Sequence, residues 1–264
     1  MPRKFWSHEE LILALNLYCK TPFGRIHIHN PEIVSLAKLI GRTPSSVSWK
    51  LANFARLDPL IQARRLKGAT HGAQGEIEVL DEFSSDWDKL AFESERLFAR
   101  LSGRSLVPQD EEYNIGALRE GREREGRVRI RVNQDFFRRS VLAAYDIKCC
   151  ITGISISKLL LASHISPWRV DVSNRVNPRN GLCLNALHDK AFDKGLITIT
   201  LDHKVVVSGS IKTSGLNNAT RSFLLNYDGR FMRLPKRFLP DPDLLKYHNE
   251  RIFIDALGEE AANT

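Results

Sequence analysis

Two histidines and one asparagine carry the chemistry that can be read from this chain. His164 stands near the end of the apolar run 159–165, Asn180 follows after fifteen residues, and His188 after seven more. An imidazole can take a proton from water near neutral pH, because its unperturbed pKa is about 6.5. A side-chain amide can brace the loop that holds such a base. A second imidazole can ligate a divalent cation that takes up developing negative charge. In that order the three residues suit hydrolysis of a phosphodiester, with His164 as general base and His188 as metal ligand.

The elements that must position them follow from pattern. Residues 132–147 are patterned as a helix leading into Cys149-Cys-Ile-Thr-Gly153, whose Thr-Gly pair would reverse the chain into a strand over 159–165. A polar loop, 166–179, holds Trp168, Arg169, Asp171, Arg175 and Arg179. Asn180-Gly181 is by itself also a hairpin-turn signal. Leu182-Cys-Leu184 is a short strand, Asn185 an N-cap, and 186–194 about two turns of helix closed by Gly195. Asp193 lies five positions after His188. It serves either as a metal ligand, or as a group holding His188 by a hydrogen bond, or as a cap near Lys194. Asp189 is the weaker alternative.

These residues resemble the HNH nuclease family, the ββα-metal fold, in its restriction-enzyme-like branch. The likeness covers roughly residues 132–200, the tail loosely, and says little of residues 1–100. It implies that His164 projects over the scissile phosphate, that Asn180 braces the loop behind it, and that His188 faces the metal, with Asp193 a second candidate ligand. The ion it implies is divalent: Mg²⁺ first, with Mn²⁺, Ni²⁺ or Zn²⁺ as alternatives. Many members place Asp or His immediately before the base, whereas this chain has Ser163, a poor ligand. The absence of any CxxC pair argues against a four-cysteine zinc knuckle.

Upstream, residues 7–56 are punctuated as three helices. Ser7-His-Glu-Glu10 is a capping box, and Asn30-Pro31 and Thr43-Pro44 are caps followed by proline at the first helical position. Only Gly41-Arg-Thr43 separates the second helix from the third, which is a helix-turn-helix spacing. Ser45, Ser46, Ser48, Trp49, Lys50 and Asn53 lie off the apolar stripe of the third helix and are expected to face DNA, with Arg42 reaching a phosphate. The alternative is a plain three-helix bundle used for packing. Residues 57–80 are expected to be irregular and 81–101 helical. The arginine-rich stretch 117–131, which includes Arg127 and Arg129, suits either an ion-paired exposed helix or a basic edge that guides DNA.

A net charge of +8 favours a polyanionic partner such as double-stranded DNA. Four cysteines are too few for a disulfide scaffold, no run of about 18 apolar residues suggests a membrane span, and the N-terminus lacks an apolar signal core. A cytoplasmic protein is therefore expected. The expected class is α+β, with a three-helix helix-turn-helix-like module followed by a ββα-metal domain. The expected divisions are 1–101 for DNA recognition, 102–131 as a charged linker or helix, and 132–264 as the nuclease domain, with a homodimer as one route to double-strand cutting. Two rival functions share these residues: a non-catalytic DNA-binding protein on a degenerate ββα scaffold, and a nuclease directed at RNA.

Overall fold

The computed structural model describes residues 5–58, 62, 74–104, 122–213 and 217–253. It divides into two compact units, Met1–Ser140 and Val141–Thr264. The first unit is helical: α1 (His8–Lys20), α2 (Pro31–Leu39), α3 (Pro44–Leu57), α4 (Gln74–Ser84), α5 (Trp87–Ser102) and the first part of α6 (Arg122–Ala144). The three helix starts follow from local chemistry. Ser7 and Glu10 form a reciprocal capping box, and the Asn30 and Thr43 side chains accept backbone N–H groups ahead of Pro31 and Pro44. Each such cap is worth about 1 kcal/mol. The apolar stripes are buried as their spacing requires: Leu11, Leu15 and Tyr18 on α1, Ile33, Leu36 and Ala37 on α2, Val47, Leu51 and Phe54 on α3. Helix α1 packs against α2, α3, α4 and α5, and the Tyr18 and Phe54 rings stack at 6.1 Å.

Helix α4 departs from the irregular stretch expected over 57–80. Its glycine is a packing residue and not a breaker, since a Cβ on Gly75 would stand 2.9 Å from Leu11 Cδ1. Val79 and Phe83 complete its buried stripe. The helix expected over 81–101 is accordingly two elements, broken at Ser85-Asp86, where the Asp86 side chain caps α5 through the Lys89 N–H. From Arg122 onward, the arginine-rich stretch and the helix expected after residue 131 form one helix, α6. The basic cluster Arg64, Arg65 and Lys67, and the acidic patch 110–112, lie outside the described residues.

The second unit is built on β1 (Leu160–His164) and β2 (Gly181–Asn185), an antiparallel pair in register from Leu160↔Asn185 to His164↔Gly181. Helix α7 (Ala186–Asp193) follows β2 directly and packs across both strands. Strands β3 (Ile197–Ile199) and β4 (Val205–Val207) form an antiparallel hairpin. His203 at its turn takes a left-handed φ of 67°. Short helices α8 (Gly209–Thr213) and α9 (Asn218–Phe223) precede α10 (Pro242–Arg251). No helix among the described residues is long and apolar enough to cross a membrane.

Candidate active site

His164 ends β1, half-buried, and its Nε2 lies 2.9 Å from the Arg175 carbonyl oxygen. A carbonyl only accepts, so the neutral ring carries its proton on Nε2 and its lone pair on Nδ1. That is the form a base needs. Burial lowers the proton affinity of His164; the Arg175 carbonyl and the Asp189 carboxylate pull the other way, and burial prevails. The Trp168 ring meets the imidazole edge-on at 5.6 Å. The Arg175 guanidinium lies over Trp168 at 5.3 Å and donates from Nε to the Trp168 carbonyl oxygen.

The loop that delivers the Arg175 carbonyl is held from beneath by Asn180. This side chain is fully buried. Its Oδ1 accepts the Ser166 N–H at 2.8 Å, and its Nδ2 donates to the carbonyl oxygens of Ser166 at 3.1 Å and Asn174 at 3.0 Å. Asp171 and Asn177 tie down Asn174 in turn. A turn of 3₁₀ helix, Pro178–Asn180, capped by the Asn177 side chain, sets Asn180 at the head of β2. No tight Asn-Gly hairpin forms here. Arg175 and Asn174 were visible only as loop residues, because nothing in spacing says which carbonyl a histidine will meet.

His188 sits in the first turn of α7 and is 1% exposed. Its Nδ1 is 2.8 Å from Asn185 Nδ2. Its Nε2 is buried with no hydrogen-bond partner, and the Tyr227 ring meets it edge-on at 5.6 Å. Ser163 Oγ, on the opposite face of β1 from His164, is likewise buried without a partner. Asp189 and Asp193, one turn apart, share a helix face. Partial desolvation and the Asp189 charge raise the Asp193 carboxyl above its ordinary range, with Lys190 and Lys194 opposing. Asp189, ranked below Asp193 on spacing, is thus coupled electrostatically both to Asp193 and to His164. Helical geometry turns this carboxylate face away from the buried side of His188, so the sequence candidates are adjacent on α7 but not on one face of it.

The residues expected to touch DNA on the first unit divide differently. Ser45 is exposed and Ser46 half-buried, and Trp49 is 62% exposed. Arg42, Lys50 and Asn53 point inward, contrary to expectation. Arg42 bonds the Phe5 carbonyl oxygen and the Glu10 carboxylate and lies over the Trp6 ring. Lys50 and Asn53 both donate to Glu76 Oε1, at 2.5 and 2.8 Å. Burial pushes the Glu76 carboxyl up, but those donors bring it below its ordinary range. The cause is α4, which covers this side of α3 and brings a carboxylate to it. Arg127 and Arg129 are exposed on α6, and Arg129 pairs with Asp88 beside the Phe92 ring.

Residues 149–200 match the family model for HNH endonucleases, a span that takes in His164, Asn180, His188 and Asp193. No curated protein is matched by the chain.

Proposed function

From the premise that residues 149–200 are an HNH endonuclease domain, we propose that the chain is a metal-dependent endonuclease that hydrolyses DNA phosphodiester bonds. The observation that carries this is the imidazole of His164 at the end of β1, fixed in the Nε2–H form by a backbone carbonyl of the loop that Asn180 braces. His164 Nδ1 accepts the proton of the attacking water, a role worth roughly 10²–10⁴ in rate. Asn180 holds the Ser166–Asn174 turn, and with it the Arg175 carbonyl, against the base.

Among the described residues no three His, Cys, Asp or Glu side chains gather into a metal cluster, and the Asp189–Asp193 face of α7 is turned from the buried ring of His188. The divalent ion that the family implies is therefore assigned to His188, with Asp193 as the second candidate and Asp189 beside it, without a donor set already gathered around it; Ser163 is buried on β1 and is not enlisted. When bound, the ion supplies neutralisation of charge on the phosphate oxygens. Mg²⁺ is the first choice, with Mn²⁺, Ni²⁺ and Zn²⁺ as alternatives.

The first unit would grip duplex DNA through the exposed Ser45 and Trp49 and the half-buried Ser46 of α3, and through Arg127 and Arg129, with Arg42, Lys50 and Asn53 stabilising the helices behind. A restriction-type role against foreign or modified DNA suits two such parts, and a second copy of the chain would serve the second strand. The test is incubation of the full chain with plasmid DNA and, separately, RNA, with Mg²⁺ or Mn²⁺ and then EDTA. Cleavage of plasmid that EDTA stops, and that His164→Ala removes, is expected. Retained cutting by the His164→Ala protein removes the base assignment, and cutting of RNA alone removes the substrate.

A further inference from the structure

Asn185 ends β2 and caps α7, and its side chain is committed at both ends. Its Oδ1 accepts the backbone N–H groups of Leu187 and His188, each at 3.0 Å. An amide flip would turn an NH₂ group against two N–H donors, so the assignment of oxygen and nitrogen is fixed by the helix start itself. The NH₂ group then faces His188 Nδ1 at 2.8 Å, Thr152 Oγ1 at 3.3 Å and Cys149 Sγ at 3.6 Å. An amide nitrogen only donates. His188 Nδ1 must therefore accept, and the ring's single proton resides on Nε2.

We infer that Asn185 is a positioning residue for His188: through its cap-locked amide it selects the Nε2–H form of the ring, so that the metal-free chain withholds the Nε2 lone pair from a cation. The consequence for metals rests on His188 being a ligand, as proposed above; the tautomer does not. An imidazole that binds a metal through Nε2 carries its proton on Nδ1 and gives it to an acceptor. Here that place holds a donor. Metal capture has to move the ring proton and displace the Asn185 bond, and affinity is lowered accordingly. The rival arrangement, in which Nδ1–H donates to the Cys149 sulfur and helps bring that thiol down to about 6 against its burial, would set a ring N–H head-on against the Asn185 NH₂ at 2.8 Å.

Two variants separate the cap from the tautomer. Asn185→Asp keeps one carboxylate oxygen as the cap and offers the other as an acceptor to Nδ1–H. Asn185→Ser keeps a capping oxygen and removes the NH₂ group. In metal-free ¹⁵N-labelled full chain, long-range ¹H–¹⁵N spectra should show His188, identified by its loss in His188→Gln, as Nε2–H. The Asn185→Asp spectrum should show Nδ1–H, and Mn²⁺ affinity by calorimetry should rise about tenfold. That rise should vanish when His188→Gln is added, which removes the simple effect of one more negative charge. An Nδ1–H signal from the unsubstituted protein overturns the inference. A moved proton with unchanged Mn²⁺ affinity overturns instead the assignment of His188 as a ligand.

Discussion

Replacing Asn180 by Asp isolates the donor half of the brace behind His164. The substitution keeps shape and keeps an oxygen for the Ser166 N–H at 2.8 Å. It converts the Nδ2 donor into an acceptor facing two carbonyl oxygens, at 3.1 and 3.0 Å. Two hydrogen bonds are lost, each worth about 1 kcal/mol net. A carboxylate with no solvent access, among acceptors, is also driven toward its neutral form; a shift of about 3 units, within the range for buried groups, corresponds to about 4 kcal/mol. The sign follows from the raised folded-state pKa. The destabilisation is small below the unfolded-state pKa near 3.9, grows as pH rises from there, and is complete once pH passes the folded-state value. Urea unfolding of Asn180→Asp and the unsubstituted protein should therefore differ by about 4–6 kcal/mol at pH 8 and by markedly less at pH 5. Plasmid cleavage should fall at least about 100-fold, because the carbonyl that orients the base is released. Equal unfolding midpoints at pH 8 would refute the brace, since no buried carboxylate facing two carbonyls can be neutral to stability.

Three further outcomes follow. His248 stacks on Phe192 at 3.6 Å, with its ring nitrogens at Thr198 Oγ1 and the Phe192 carbonyl, and burial holds it down to about 4. A depressed histidine supplies stability that is present above about 6.5 and lost as pH falls toward 4, about 3 kcal/mol in all; melting curves of His248→Gln should be flatter across that window, and parallel curves would sink the assignment. Lys50→Ala strands Glu76 in the core and should cost about 3–5 kcal/mol in chemical unfolding, whereas Lys50→Met with Glu76→Leu should cost less. A Lys50→Ala protein that unfolds normally but loses DNA affinity would restore that lysine to the DNA surface. Trp49→Ala should change stability by less than about 0.5 kcal/mol, because the ring is mostly in water, and should weaken duplex binding in a filter or anisotropy assay; unaltered binding removes α3 from the DNA face.

Much of the candidate site was legible because its signals are local. Asn185 and Gly195 bracket α7, the run ending at His164 has strand length, and the three helix caps in the first unit are written in consecutive residues. A cap works within one turn, so its sequence is sufficient evidence for it. Ser163, a poor ligand by type, is in fact turned into the core by strand alternation. The stripes of α1, α2 and α3 were equally plain, since burial on a 3.6-residue period needs no knowledge of the partner.

What the sequence could not convey was which distant group would meet each polar side chain. The position of Lys50 off the apolar stripe is a true statement about α3, but whether that face meets water depends on α4, whose Glu76 arrives from twenty-six residues away. Gly75 looked like a loop residue because its role, close approach to Leu11, exists only between two packed helices. The tautomer of His164 was decided by a carbonyl eleven residues on, and the face that each α7 residue presents was decided by how that helix lies on β1 and β2. Residue type and spacing specify which chemistry a side chain can perform; only packing fixes the donor or acceptor beside it, and a hydrogen bond's direction rests on that neighbour.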